Sequence, residues 1–255
     1  MNQESTPYKA LCTEFYELDK PLAPKDALEC YLEYAKKANG PILEPMCGTG
    51  RFLIPLLEKG YLVSGFDYSS HMLDVCRKKC AIRGLTPKLT EATFETFSSH
   101  EMYDLIFIPS SSFCLLTDPR QALKALNFVS NKLTPRGKFV FEIETIAAID
   151  QSQGYWRGRW VNREDGSKIV INTLSCFDEY SRIETILCRY EAWEKNHITQ
   201  TEVEDFRLKL YEPSEIEQLL TQENLKVINK WQAEPYIKVE ATATTPVILY
   251  ECIKN

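Results

Sequence analysis

The sequence of 255 residues has no apolar run near the length of about 18 residues that a membrane-spanning helix needs. Its first ten residues, MNQESTPYKA, also lack the charged and apolar regions of a secretion signal. We therefore expect a cytoplasmic protein with no membrane partner.

Histidines number only three, and the nine cysteines include no Cys-x-x-Cys pair. In the absence of a secretion signal, these cysteines are expected to be reduced thiols in a cytosol-like compartment. Cys76 and Cys80 have a spacing that suits a metal, but no histidine or further cysteine completes a tetrahedral set. We expect both to be small buried hydrophobic residues, and no metal site.

Positive charge is also scarce, with 30 lysines and arginines against 36 acidic residues and a net charge of −6. Because binding to phosphate groups needs a basic face, and the basic residues are dispersed, this balance argues modestly against a nucleic-acid partner. The length suits one α/β domain with an insertion or two small domains.

The most informative stretch runs from residue 42 to residue 50, ILEPMCGTG. Two apolar residues suit the end of a buried strand, and a Gly-x-Gly turn and a predicted helix over 51–59 follow. Such a turn brings backbone N–H groups toward a ligand, and the glycines allow close approach. Glu44 places a carboxylate at the front of this turn, which suits a ligand with a cationic end such as an ammonium group.

This stretch resembles the first motif of the class I S-adenosylmethionine-dependent methyltransferases. A second matching motif is 62–67, LVSGFD, in which Asp67 follows Gly48 by 19 positions, close to the spacing of about 20 expected for a ribose-binding acid. The resemblance implies that Asp67 binds the ribose hydroxyls and that Glu44 and 48–50 hold the methionine end. It also implies S-adenosylmethionine as cofactor, with S-adenosylhomocysteine as product.

Later motifs extend the resemblance over about residues 40–145. By resemblance, Glu91 and the backbone N–H of Ala92 meet the adenine edge, and the loop after the apolar strand 103–109 faces the substrate, as strand ends do in open α/β sheets. The resemblance thus implies cofactor contacts from Tyr16, Glu44, Met46, Cys47, Gly48, Gly50, Asp67, Tyr68, Met72, Glu91, Ala92, Thr93 and Ile108. It implies substrate contacts from Ser110, Ser111, Phe113 and Trp156.

The remaining pattern predicts an α/β fold, a Rossmann-like seven-stranded mixed sheet with helices on both faces and an inserted antiparallel β cap. Helices are expected over 25–38 and 70–83, after Asp118 and from 213. A short strand and loop are expected over 88–97, a turn over 134–137, and strands over 138–144, 225–231 and 247–253. Alternating runs over 168–177, 182–193 and 198–211 predict an antiparallel meander. We assign 1–153 and 211–255 to the methyltransferase core and 154–210 to the insertion.

The insertion has two open interpretations, a cap over the strand ends or a dimer element. Its aromatic residues, including Trp156, either wall a substrate pocket or form the insertion's own core. Residues 1–24 are similarly ambiguous: in the resembling family an N-terminal segment closes over the cofactor, with Tyr16 as the residue of interest here, but packing against the core explains its aromatics equally well.

The expected reaction is transfer of a methyl group by in-line displacement to nitrogen or oxygen of a small molecule. Positioning supplies most of the acceleration in such a reaction, and a base only removes the acceptor's proton. Glu142, at the end of a strand, is the preferred base, ahead of Glu144 and of the histidines at 71, 100 and 197. The protein is expected to be a monomer or a homodimer.

Three other functions are considered. A nicotinamide-dependent oxidoreductase should have a third glycine near position 53, where this chain has Leu53. A non-catalytic protein that binds S-adenosylmethionine would have almost the same sequence. A methyltransferase acting on nucleic acid or protein also remains open, although a nucleic-acid substrate would need a basic groove.

Overall fold

A computed structural model describes residues 7–149, 153–236 and 238–255. The strands are β1 (Ile42–Pro45), β2 (Val63–Asp67), β3 (Lys88–Glu91), β4 (Tyr103–Ile108), β5 (Leu133–Glu144), β6 (Arg157–Asn162), β7 (Lys168–Asp178), β8 (Ile183–Glu194), β9 (His197–Lys209), β10 (Leu225–Gln232) and β11 (Val247–Lys254). The helices are α1 (Ala10–Asp19), α2 (Lys25–Lys37), α3 (Leu53–Glu58), α4 (Ser70–Ile82), α5 (Pro119–Lys132) and α6 (Pro213–Gln222).

Seven strands form a mixed sheet in the order β10-β11-β5-β4-β1-β2-β3. The five strands from β1 to β5 are parallel, whereas β11 is antiparallel to both β5 and β10. The chain adds β2 and β3 on one side of β1 and then returns to place β4 on the other side. This reversal puts the loops after β1 and β4 at a topological switch point, where open α/β sheets bind their ligands.

The sheet is buried on both faces because its central strands are apolar at successive positions, as expected for parallel strands covered by helices. Leu43, Ile106 and Phe141 belong to one hydrophobic cluster, and Ile42 and Leu105 belong to the other. Two helix starts follow sequence rules: the Ser69 side chain accepts the backbone N–H of Met72, and Asp118 accepts that of Arg120. The predicted seven-stranded mixed sheet is confirmed.

Four strands, in the order β6-β7-β8-β9, form a separate antiparallel sheet. One face of this sheet packs against α1, since Leu11, Cys12 and Phe15 share a cluster with Ile169 and Tyr190. The sequence predicted three of these strands. It missed β6, which lies mostly exposed at the sheet edge and lacks an apolar alternation.

Some boundaries differ from the predicted ones. β5 begins at Leu133, so 134–137, expected as a turn, belongs to the strand. α3 begins at Leu53 rather than at 51, which places Pro55 in its first turn, where the missing N–H is tolerated. β3 ends at Glu91, and a turn follows it.

The division into core and insertion at 154 and 210 stays a prediction, although α1, assigned to the core, packs against the second sheet. Among the described residues, no helix has the length and apolar character required to cross a membrane.

Candidate functional site

The loop after β1 adopts a conformation that depends on its glycines. Met46, Gly48 and Gly50 all have positive φ, at 58°, 52° and 78°. A Cβ on Gly50 would lie 2.5 Å from the Cys76 sulfur of α4, so this position also requires close approach to the helix. A Cβ on Gly48 would meet nothing within 4 Å, so the backbone there is open toward the crevice.

A cavity lies at this switch point, between the loops after β1, β2 and β4 and the N-terminal segment. It brings together eight of the predicted cofactor residues and one predicted substrate residue. It is lined by Tyr8, Tyr16, Glu44, Met46, Cys47, Gly48, Thr49, Arg51, Phe52, Asp67, Tyr68, Met72, Pro109, Ser110, Ser112 and Leu115.

Two buried polar atoms of this cavity have no hydrogen-bond partner in the part of the chain described, Glu44 Oε2 and Thr49 Oγ1. Burial raises the pKa of Glu44 well above its ordinary value, the Asp67 carboxylate raises it further, and Arg51 opposes both. Because buried polar groups are normally hydrogen-bonded, these two atoms mark a place prepared for a ligand. A cationic group on that ligand would compensate the Glu44 charge.

Asp67, at the end of β2, connects the loops that follow β1 and β2. Its carboxylate accepts the backbone N–H of Gly48 through Oδ2 and that of Ser69 through Oδ1, both at 2.9 Å. Burial raises the pKa of Asp67, and these N–H donors oppose the rise. The side chain is thereby fixed in orientation while it lines the cavity.

The N-terminal segment covers the cavity and joins it to the second sheet. Glu204 on β9 accepts the backbone N–H groups of Tyr8 and Lys9 at 2.9 and 2.8 Å. On the opposite side, the Ser69 hydroxyl donates to the Tyr8 carbonyl at 2.8 Å, and Arg51 donates to the Tyr16 hydroxyl at 2.8 Å. Tyr16 therefore lies at the cavity wall, held by the residue that follows the Gly-x-Gly turn.

Several predicted site residues lie outside the cavity lining. Gly50 packs against Cys76 of α4, on the side of the loop away from the cavity. Ile108 and Phe113 are fully buried in the core. Ser111 is also buried, in a left-handed conformation beside Ser110. Phe113 packs against the rings of Phe141 and Tyr211, so the structure places it in the core and not at a substrate surface.

The predicted adenine-binding turn differs in detail from expectation. Glu91 and Thr93 are exposed, and the Ala92 N–H already donates to the Asp67 carbonyl at 2.9 Å as an extension of the sheet. That donor is therefore committed in this structure. Trp156 is 52% exposed under the Arg189 guanidinium on the second sheet and does not line the cavity.

The sequence reasoning missed several lining residues. Tyr8 is far from the motifs in sequence, and only the packing of the N-terminal segment brings it to the cavity. Thr49 and Arg51 were detectable, since they lie within or directly after the Gly-x-Gly turn. The histidines at 71, 100 and 197 are all exposed and do not line the cavity.

Glu142 is 1% exposed and accepts a short hydrogen bond from the Tyr31 hydroxyl. Burial raises its pKa from 4.5 to about 7, opposed by the hydroxyls of Tyr31 and Tyr236 and by the Ser110 N–H. The carboxylate is next to the cavity wall at Ser110 but does not line the cavity. Its predicted role as base stays a prediction.

The raised pKa predicts how stability depends on pH. Because the folded-state pKa lies above the unfolded one, Glu142 contributes stability that is complete below about pH 4.5 and lost as pH rises through about 7. Between these two pH values, the free energy of unfolding of the wild type should fall by up to about 3 kcal/mol more than that of Glu142→Gln. Denaturant unfolding across this range measures the effect. The exposed Glu164→Gln is the control, and equal slopes in Glu142→Gln and wild type would contradict the prediction.

Comparison with known proteins gives a consistent result. A family model described as a methyltransferase domain matches residues 42–137. A putative methyltransferase of Geobacillus sp. is 23% identical over 133 residues, covering 50% of this chain and 54% of that protein. The putative methyltransferase YqeM of Bacillus subtilis is 28% identical over 127 residues, covering 50% and 51%. The chain thus spans about half the length of the curated relatives it matches.

Solved structures resemble nearly the whole chain. An S-adenosylmethionine-dependent methyltransferase from Clostridium acetobutylicum has a TM-score of 0.78 at 20% identity, covering 95% of this chain and 96% of that one. The sugar N-methyltransferase KedS8 from Streptoalloteichus has a TM-score of 0.75 at 13% identity, covering 100% and 98%. The amino pentose methyltransferase CalS10 from Micromonospora echinaspora has 0.68 at 17%, covering 99% and 100%. At these identities the likeness establishes the shared fold.

Proposed function

Because this chain belongs to the class I S-adenosylmethionine-dependent methyltransferases, we propose that it transfers a methyl group from that cofactor to a nitrogen of a small amine. The observation that carries the proposal is the buried Glu44 carboxylate, one oxygen of which has no partner among the described residues, in the same cavity as Asp67. This pair of acids offers one partner for a cationic amino group and another for sugar hydroxyls.

Different residues of the cavity would bind different parts of the cofactor. Glu44 and Thr49 would meet the amino-acid end, because their free oxygens have no protein partner among the described residues. Asp67 would accept the ribose hydroxyls from a fixed orientation, and Tyr16 would close the cavity from the N-terminal side. When bound, the cofactor supplies an electrophilic methyl group on a sulfonium whose positive charge is lost in the transfer.

The acceptor nitrogen is inferred from a second group of acids beyond the Ser112–Leu115 turn. Glu144 is tied to this turn, since its N–H donates to the Cys114 sulfur at 3.2 Å. Burial raises the pKa of Glu144, the charges of Glu184 and Glu234 raise it further, and Lys20 opposes them. Excess negative charge of this kind favours a cationic acceptor over an anionic one.

An amide oxygen with no partner lies in the same region. Gln153 Nε2 donates to the buried Glu184 carboxylate at 3.0 Å, while its Oε1 is buried and unpartnered within the described chain. An ammonium or amine N–H of the proposed acceptor would supply the missing donor. The structural neighbours include a sugar N-methyltransferase and a glycopeptide N-methyltransferase.

Catalysis on an amine would depend on positioning and on one proton transfer. An amine acceptor would have to be neutral to accept the methyl group that the cofactor would supply, so a protonated amine would first have to lose one proton to a residue of the site. Glu144, with its raised pKa, is suited to hold the proton that the ammonium must release. Orientation of the nitrogen by Glu184 and Gln153 would supply most of the acceleration.

An acceptor screen with labelled S-adenosylmethionine tests the proposal. The screen uses small amines, each paired with the analogue in which oxygen replaces nitrogen, together with RNA, DNA and a protein mixture. We expect label only in amines. Label only in hydroxyl compounds, nucleic acid or protein would overturn the nitrogen proposal, and cofactor binding without turnover on any acceptor would favour a binding protein.

Glu184→Gln tests the acid cluster separately from the cofactor site. Loss of one charge contact to a cationic acceptor should raise KM about tenfold, because such hydrogen bonds contribute about 1.5 kcal/mol. The affinity for S-adenosylmethionine should not change, since Glu184 does not line the cofactor cavity. The control is the exposed Glu164→Gln. An unchanged KM in Glu184→Gln would remove the cluster from acceptor recognition.

The domain division is also proposed on functional grounds. The core, 1–153 and 211–255, would bind the cofactor, and the insertion 154–210 would cover it through the N-terminal segment that Glu204 holds. The cytoplasmic location expected from the sequence stays a prediction.

A further inference from the structure

Glu142 is a buried carboxylate that lies behind the wall of the cofactor cavity. The Tyr31 hydroxyl of α2 donates to its Oε1. The Tyr236 hydroxyl and the backbone N–H of Ser110 direct two further hydrogen bonds to the same carboxylate. These three donors come from α2, from the segment after β10 and from the turn after β4. The carboxylate therefore joins three elements that are distant from one another in the sequence.

The turn after β4 has a strained backbone. Ser110 and Ser111 have φ of 55° and 53°, in the left-handed region that residues with a Cβ rarely adopt. Such a conformation costs free energy at each residue and persists only where the surroundings enforce it. The surroundings here include Glu142, toward which the Ser110 N–H points. Because Ser110 lines the cofactor cavity, Glu142 constrains the cavity wall from behind.

The segment 233–236, which follows β10, links Glu142 to the acids proposed to bind the acceptor. Glu234 is one of these acids, since it lies close enough to Glu144 for their charges to repel. Two residues later, the Tyr236 hydroxyl is directed at the Glu142 carboxylate. The position of Glu234 beside the acceptor therefore depends on a contact that Tyr236 makes with Glu142.

We propose that Glu142 is a positioning residue for the methyl acceptor. Its carboxylate holds the strained turn at Ser110 and the segment 233–236 at one point, and so fixes the cofactor cavity relative to the acceptor's charged surroundings. The inference rests on the proposed function for the place of the acceptor. Because Glu142 does not line the cavity, it is suited to act through Ser110 and Tyr236 rather than as a base on the acceptor.

The charge of Glu142 determines how many donors it can hold. An ionised carboxylate only accepts hydrogen bonds, so it can hold all three donors, whereas a protonated one carries an O–H that needs a partner of its own. Burial raises the pKa of Glu142 from 4.5 to about 7, and the three donors oppose the rise. The turn and the segment should therefore be held more firmly above about pH 7 than below it. The same charge lowers the stability of the fold above this pH, so the order of the site and the stability change in opposite directions.

Other titratable groups face Glu142 from the same three elements, and none of those in the described chain is a cation. They are Cys30, Tyr31, Cys114, Glu234 and Tyr236. Burial raises the pKa of Cys30 to about 11, and it also raises the pKa of Cys114 and of the two tyrosines. These thiols and hydroxyls stay neutral between about pH 6 and pH 8. The change of charge at this point therefore belongs to Glu142.

Hydrogen exchange of the full chain, followed by mass spectrometry, tests this hold without any acceptor. After correction for intrinsic rates, peptides that contain Ser110 and Tyr236 should exchange about fivefold more slowly at about pH 8 than at about pH 6 in the wild type. In Glu142→Gln, neither peptide should gain protection as the pH rises. Protection that does not depend on pH in the wild type, or that depends on it equally in Glu142→Gln, would overturn the proposal.

The matched control for the exchange experiment is Tyr34→Phe. Tyr34 is also a buried tyrosine of α2, but its hydroxyl donates to a different carboxylate, Glu251, at 3.2 Å. This variant should keep the pH dependence of the wild type in both peptides. Tyr236→Phe, which removes one donor and leaves Glu142 in place, should lose protection in the peptide that contains residue 236 at about pH 8.

Kinetics test what the hold contributes to acceptor binding, with the amine that is labelled fastest in the acceptor screen. At about pH 8, Glu142→Gln and Tyr236→Phe should each raise the KM for this amine about tenfold, with the affinity for S-adenosylmethionine unchanged. The ratio of kcat/KM between wild type and Glu142→Gln should rise from about one at pH 6 to about ten at pH 8. Taking this ratio removes the titration of the amine and of Glu144.

An unchanged KM in both variants, or a ratio that does not depend on pH, would show that Glu142 is structural and would overturn its role toward the acceptor. Failure of the screen to label any amine would instead overturn the proposed function. The exchange experiment needs no acceptor, so its outcome decides the hold on the turn and on the segment 233–236 in either case.

Discussion

Asp67→Ala is expected to weaken S-adenosylmethionine binding about 100-fold, corresponding to about 3 kcal/mol for two hydrogen bonds from ribose hydroxyls to a carboxylate. The substitution also removes the acceptor of the Gly48 and Ser69 N–H groups, so the loops after β1 and β2 lose their link. Because these loops carry much of the cavity lining, both effects reduce affinity.

Calorimetric titration with S-adenosylmethionine and S-adenosylhomocysteine measures this effect. Asp67→Asn should retain part of the affinity, since the amide oxygen still accepts one hydrogen bond. The control is Asp74→Ala, which removes an exposed carboxylate of α4 that contacts Arg77. A loss smaller than about tenfold in Asp67→Ala would show that this carboxylate does not bind the ribose.

Glu44→Gln is expected to stabilise the free protein and weaken cofactor binding at once. The Glu44 carboxylate is 2% exposed and one of its oxygens has no partner within the described residues, so its charge opposes folding. Removing the charge should raise the free energy of unfolding by about 1 kcal/mol. The same change removes the partner of the cofactor's ammonium group and should weaken binding about 30-fold.

Thermal unfolding with and without S-adenosylmethionine measures both effects together. The variant should have the higher Tm without ligand, and the wild type should have the higher Tm near saturation, because tighter binding adds more stability. The raised pKa of Glu44 gives the sign of the pH effect. Its contribution to stability is complete below the unfolded-state pKa and is lost as pH rises through the folded-state value.

The advantage of the variant without ligand should therefore increase with pH. Glu95→Gln, at an exposed position, is the control for loss of one acidic charge. A variant that is less stable than wild type at every pH, with unchanged affinity, would show that Glu44 is a structural residue with no role toward the ligand.

The sequence by itself determined the core of the fold and the position of the site. Apolar runs such as 103–108, the Gly-x-Gly turn and the acid at Asp67 are local patterns, and each specifies a strand, a turn or a strand end without reference to distant residues. Parallel strands joined by helices then leave few possible arrangements. For this reason, the loops after β1, β2 and β4 could be predicted to meet at one crevice.

The tertiary structure alone decided which distant residues complete the site and which leave it. Tyr8 reaches the cavity because Glu204, 196 positions away, accepts its N–H, and no local pattern encodes such a contact. An aromatic residue suits both a substrate pocket and a hydrophobic core, so the sequence does not distinguish the two. Packing alone decides that Phe113 is buried in the core and that Trp156 is exposed. Strand alternation assigns side chains to two faces of a sheet, but it does not say which face α1 covers.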